Sequence, residues 1–282
     1  MSTMTPTQEL GTLTGPLLIF GGPYSNLQAT RALLDAAQQL DFSPEQLICT
    51  GDAVAYCADA EATVQLLRDA GVHWIQGNCE ESLGNRIDDC GCGFDDGSSC
   101  AVLSDSWYRY ADAAISDASR AWLKSLPAQL GFSLNGRRIR VVHGAVDQIN
   151  RFVFESTPVA QKQHQLELAR ADVLIGGHCG LPFGQAMQNG SWLNAGVIGM
   201  PANDGTADGW YMLLAPEGED LKASWHRLEY DAAGAALAMQ QARLPAAYRE
   251  SLLSGFWPNL DILPARERGN QGRRLQPPTL RL

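Results

Sequence analysis

Val72-His73-Trp74-Ile75-Gln76 is an apolar run followed at once by Gly77-Asn78-Cys79-Glu80, and this junction decides how the chain is read. A short run of this kind, ending in glycine and a polar ligand type, reads as the C-terminal end of a strand opening into a loop. The pattern recurs in Leu17-Leu18-Ile19-Phe20-Gly21-Gly22, Ile48-Cys49-Thr50-Gly51-Asp52, Val141-Val142-His143-Gly144 and Val173-Leu174-Ile175-Gly176-Gly177-His178. In α/β proteins, ligands bind in the crevice outside the carboxyl ends of strands. Strand ends that collect Asp52, Asn78, His143 and His178 therefore predict a metal site.

Working outward, Asn26 to Ala37 carries apolar residues at helical spacing, with Ser25 or Asn26 as N-cap. Ala60 to Ala70 reads as a second helix, so the first third is a β-α-β-α-β run with parallel strands and right-handed crossovers. Periodicity is lost from Glu81 to Asp105, and the Gly-rich, acidic stretch Asp88 to Cys100 reads as a long loop. Ser116 caps a helix through Leu126. Gly131 to Val142 reads as a hairpin turning at Asn135-Gly136, and Gln185 to Leu193 as another around Asn189-Gly190. Between them lie a helix from Pro158 to Arg170 and a strand from Ala171 to Ile175. Strands over Gly209 to Leu214 and Leu221 to Leu228 precede an Ala-rich helix from Ala232 to Arg243.

The domain reading is a frayed N-terminus over 1–15, a single domain over 16–255 with a Cys-rich loop at 81–105, and a turn-rich tail over 256–282. That tail is expected to wrap the surface or to be in part disordered. The 282 residues suffice for one substantial core. A net charge of −10 argues against broad nucleic-acid or anionic-membrane binding, which needs a basic face. No basic segment followed by a long apolar run opens the chain, and no apolar stretch approaches the roughly 20 residues needed to span a bilayer. The expectation is a soluble, cytoplasmic protein; the charge balance leaves a phosphorylated small molecule open as partner, because one metal ion can reverse the local sign of the field. Seven cysteines, several in ligand-like contexts, favour thiols or metal ligands over a disulfide framework.

The order Gly51-Asp52, Gly77-Asn78, His143-Gly144, Gly177-His178 resembles the calcineurin-like metallophosphoesterase family over roughly residues 16 to 255. Asn26-Leu27-Gln28-Ala29, Tyr56-Cys57-Ala58-Asp59 and Asn194-Ala195-Gly196-Val197-Ile198-Gly199 add to the resemblance. It implies a four-layer α/β sandwich built from two mixed sheets flanked by helices. It also implies hydrolysis of a small phosphomonoester or phosphodiester by a metal-activated water. The positions matching one ion of the family's pair are Asp52, Asn78, His143 and His178, a donor set suited to Mn, Fe, Zn or Ni. The other ion is held in the family by the Asp and His of an Asp-x-His motif and by a final His. Here those positions are Gly22, Tyr24 and Gly180, so the second site is lost, or rebuilt from Tyr24 phenolate or cysteine thiolates.

Cys79 stands where the family has a His that assists phosphate or leaving group, and Cys79 and Tyr24 are read as contacts to substrate or a second ion. Tyr24 has the alternative of a packing residue. Cys57, Cys79, Cys90, Cys92 and Cys100 are candidate thiolate ligands for Zn or an iron–sulfur centre, which would make the protein a non-hydrolytic sensor or partner. Glu80 reads equally as support to a ligand or as a surface charge. Cys49 and Cys179 are assigned to the core, His73, His164 and His226 to structural or solvated positions, and Trp107, Tyr108 and Tyr110 to packing.

Overall fold

The computed structural model describes residues 7–93 and 99–282, without the side chains of 99–102. In chain order the elements open with β1 (Thr7–Leu13), β2 (Leu17–Phe20), α1 (Leu27–Gln39), β3 (Leu47–Cys49), α2 (Ala60–Ala70) and β4 (His73–Trp74). Helices α3 (Asn78–Asn85), α4 (Ser99–Ala114) and α5 (Asp117–Ser125) follow, then the hairpin β5 (Gln129–Leu134) and β6 (Arg137–Val142). Next come α6 (Val159–Ala169), β7 (Val173–Gly176), β8 (Phe183–Met187), β9 (Gly190–Asn194), β10 (Gly209–Glu217) and β11 (Asp220–Leu228). The chain closes with α7 (Ala232–Gln241), α8 (Ala246–Ser254), α9 (Ala265–Arg268) and β12 (Leu280–Arg281).

Two six-stranded mixed sheets form, in the orders β1-β5-β6-β7-β9-β8 and β12-β11-β10-β2-β3-β4. The parity of the strands assigns the layers. Leu17 and Ile19 of β2 join Val141, Val173 and Ile175 in the core between the sheets, whereas Leu18 and Phe20 face Leu33 and Val64 of the helices. On the other side Val142 and Leu174 pack with Leu166 of α6. The result is helices, sheet, sheet, helices, the predicted four-layer sandwich. The parallel pairs β2/β3, β3/β4, β6/β7 and β7/β9 bring the ends of β3, β6 and β7 to one rim. The β5–β6 hairpin turns at Asn135 (φ 50°) and Gly136 (φ 76°), the left-handed pair that Asn-Gly accommodates.

Three expectations are corrected, and one left open is resolved. Thr7–Leu13 is not frayed: it pairs in parallel with β5, and Leu10 and Leu13 pack against the inter-sheet core. Gly77 to Glu80 is not a loop, because Gly77 is the N-cap of α3 and β4 contributes only His73 and Trp74. The segment from Glu81 to Asp105 holds the end of α3 and the start of α4, while Phe94 to Ser98 lies outside the described residues. The tail is a wrapping element: Leu280 and Arg281 pair with β11, and Trp257 Nε1–H donates to the Pro201 carbonyl at 2.7 Å. Among the described residues no helix is long and apolar enough to cross a membrane.

Candidate metal centre

The centre is built at the ends of β3, β4, β6 and β7. Just beyond β3 the chain must turn sharply, and Asp52 takes φ 58°, a left-handed conformation that a non-glycine residue holds only under constraint. The constraint is visible. Glu80, fully buried in the first turn of α3, accepts from the backbone N–H of Asp52 (2.7 Å), Ala53 (2.8 Å) and Gly77 (2.7 Å). One carboxylate thus caps α3 and ties it to the Asp52 loop. A Cβ on Gly77 would collide with the Asp52 carboxylate, so only glycine lets the two strand ends meet. The Cys79 N–H, at the helix N-terminus, donates to Asp52 Oδ1 at 3.2 Å.

His143 follows β6. Its Nδ1–H donates to the Thr50 carbonyl at 2.7 Å, which places the neutral ring's lone pair on Nε2. That Nε2 lies 3.0 Å from Asn78 Oδ1, 3.1 Å from Asp52 Oδ2 and 3.1 Å from His178 Nδ1. Asn78 turns its oxygen inward because its Nδ2 donates to the Cys90 carbonyl at 2.8 Å. His178, after β7, also has a positive φ of 58° and lies against Phe152, with ring centroids 4.1 Å apart.

Protonation follows from this crowding. Burial and the neighbouring His143 push His178 down to about 3, so it is neutral at physiological pH. Burial also opposes the charged form of His143, but the Asp52 charge and hydrogen bond override it and raise the imidazole above its ordinary value. Asp52 shows the reciprocal effect: burial raises it, and the His143 charge and bond bring it below the usual carboxylate range. For Glu80, burial and then the Asp52 charge prevail over the backbone hydrogen bonds and push it up to about 7.

Carboxylate oxygen, amide oxygen and two imidazole nitrogens therefore direct lone pairs at one point. This donor set fits one divalent cation. Asp52, His143 and His178 place a ligand atom each within 4.8 Å of one another, and among the described residues no other cluster of His, Cys, Asp and Glu does so.

The positions of the family's second ion do not fit one. A Cβ on Gly22 would lie 2.6 Å from Tyr24 Cζ and 2.6 Å from Val197 Cγ1, and one on Gly180 would lie 3.2 Å from Trp257 Cζ2. Burial, then the Asp52 charge, raise the Tyr24 phenol well above its usual value, which opposes a phenolate ligand. An open cleft of about 700 Å³ continues from Asp52 and His178 along Tyr24, Tyr56, Tyr248 and Trp257.

Among the described residues the cysteines form no cluster of three or more that could hold an ion. Cys90 and Cys92, expected as separate thiolate ligands, are joined in a disulfide, since the single residue between them leaves their Cα atoms 5.3 Å apart. Cys57 turns to the Gly199 carbonyl. Cys79 lies beneath Asn78, whose Nδ2 is 3.5 Å from its sulfur, and it does not line the cleft; the Cys100 side chain lies outside the described residues. Cys49 and Cys179 are buried, as expected.

Sequence reasoning missed Phe152, Tyr248 and Trp257, for which no local signal exists. The role of Glu80 was legible: a Glu three residues after a helix N-cap is half of a capping box.

The fold and centre together define a phosphoesterase-type metal-binding sandwich. A profile of the calcineurin-like phosphoesterase superfamily domain matches residues 24–217, and the chain belongs to that superfamily. Among solved structures it resembles a hypothetical protein of Pyrococcus horikoshii OT3 with TM-score 0.73 and 16% identity, over 86% of this chain and 99% of that one. It likewise resembles a metallophosphoesterase from Sphaerobacter thermophilus with TM-score 0.68 and 19% identity, over 86% of this chain and 100% of that one. No match to a curated protein was found.

Proposed function

We propose that the protein is a metal-dependent phosphoesterase with a single ion, acting on a small phosphomonoester or phosphodiester. One observation carries this reading: Asp52 Oδ2, Asn78 Oδ1 and His178 Nδ1 crowd around the Nε2 of a His143 whose other nitrogen is engaged by Thr50. Mn, Fe, Zn or Ni bound by these four residues would supply a Lewis acid and an acidified water for attack on phosphorus. The protein's own residues supply orientation. Thr50 holds the His143 tautomer, Glu80 holds the strained Asp52 loop, and Phe152 holds the His178 ring. Tyr24, at the mouth beside Asp52, is assigned to contact the substrate. Cys79, on the protein side of Asn78, is assigned to packing beneath the ligand.

The test is elemental analysis of the purified protein together with hydrolysis of 4-nitrophenyl phosphate and bis(4-nitrophenyl) phosphate, for the natural chain and for His143→Ala. About one equivalent of transition metal and hydrolysis lost with His143 support the reading. Hydrolysis that survives His143→Ala and His178→Ala removes it.

A further inference from the structure

The cleft beside the centre is not generic apolar surface. Tyr24 and Tyr56 meet edge-on with centroids 4.8 Å apart, and Tyr56 meets Tyr248 at 4.7 Å. The same cleft is lined by Trp257, which is fixed at both ends: its backbone N–H donates to Asn203 Oδ1 at 2.9 Å and its indole N–H to the Pro201 carbonyl. Tyr248 and Trp257 lie beyond residue 217, where the superfamily match ends. Together with Tyr24 they fill the half of the site from which the second ion's ligands are absent.

Charge gives a second, independent constraint. One divalent ion against the single Asp52 carboxylate leaves one positive charge, because Asn78 and the two imidazoles are neutral as ligands. Among the described residues the cleft is lined by no Lys or Arg. A phosphate dianion would therefore stand in an aromatic cleft with surplus negative charge, to which the buried Glu80 carboxylate behind the Asp52 loop adds and which is costly away from water, whereas a monoanion lies closer to balance.

We infer that the cleft takes a singly charged phosphodiester bearing a planar, uncharged aromatic group, whose ring lies between Tyr56 and Trp257 in the open cleft beside the centre. This rests on the phosphoesterase reading for the location of the phosphate. Recognition of the ring rests on the aromatic wall alone. Planar rings pack against such walls in offset or edge-on contacts that an alkyl chain does not reproduce.

The manganese-loaded full-length protein is titrated with diphenyl phosphate, diethyl phosphate and phenyl phosphate, followed by tryptophan fluorescence and calorimetry. Diphenyl phosphate is expected to bind about tenfold or more tightly than diethyl phosphate. It is also expected to bind more tightly than dianionic phenyl phosphate at pH 8. Trp257→Ala, checked for fold by circular dichroism, should erase most of the aryl preference, read as the ratio of diphenyl to diethyl phosphate affinity. Equal binding of the aryl and alkyl diesters, or tighter binding of phenyl phosphate, overturns the inference; both comparisons use the natural chain and need no variant to fold. The aryl-diester preference without turnover of bis(4-nitrophenyl) phosphate keeps the pocket and removes the hydrolytic reading. Turnover without any aryl preference does the reverse.

Discussion

The two halves of the site have met opposite fates. The half around Asp52 is polar and over-determined: Glu80 holds the left-handed Asp52 through its backbone N–H, Thr50 holds His143, and Phe152 lies against the left-handed His178. The half around Gly22 and Gly180 has no ligand, and aromatic rings occupy its volume. The lesson is that a dinuclear site is not one cooperative unit. Gly22 follows β2 while Gly180 shares the end of β7 with His178, so positions of one set carry packing while the other set keeps its geometry.

The strongest attack on this contrast is His143→Ala. Loss of the ion should lower hydrolysis by about a thousandfold, or about 4 kcal/mol of transition-state stabilisation. Retained metal and activity would show that the polar half is not the working one. Glu80→Gln comes next. It turns an amide donor toward backbone N–H groups and should cost about 2–4 kcal/mol in urea unfolding; a variant as stable as the parent would show that the Asp52 loop holds itself.

Metal removal tests the same half without mutation. Mn at about a hundred times its Kd should stabilise the stripped protein by about 2.7 kcal/mol. An unchanged unfolding midpoint would deny the four-residue centre. The sign with pH follows from His143, whose proton affinity is raised by Asp52: the ion competes with that proton, so affinity weakens as pH falls and recovers as it rises.

The replaced half is probed by the double change Gly22→Asp, Tyr24→His, which writes the family's first motif back in. With φ 47° at position 22, the change should cost about 1–2 kcal/mol and still bind one equivalent of metal, because Val197 and Trp257 keep their places. Two equivalents by elemental analysis would break the contrast. The smallest effect is expected from Tyr24→Phe. A lost neutral hydrogen bond to substrate is worth about 0.5–1.5 kcal/mol, read as a rise in KM; no change at all would make Tyr24 a packing residue only.

Much of the fold was legible because local physics and tertiary structure agree there. Asn26 caps α1 through its side chain, Ala60–Ala70 is helical, and Asn135-Gly136 turns the hairpin. The errors fall where they part. Thr7–Leu13 has little apolar character and gains its strand from the unpaired edge of β5. Asn78 looked like a loop residue because Gly77 is a weak local signal, while the capping partner Glu80 also serves a second strand end. Cys90 and Cys92 looked like ligands because spacing alone does not show which sulfurs face a common point.

By itself the sequence determined the elements from β2 to β4 and from α5 to α7 and the four residues whose lone pairs converge, since hydrophobic period and polar punctuation act within a few residues. Only the tertiary structure decided what replaced the second ion. Tyr24, Tyr56, Tyr248 and Trp257 are separated by up to hundreds of residues in the chain, and their meeting depends on how the two sheets and the C-terminal wrap close over the same rim.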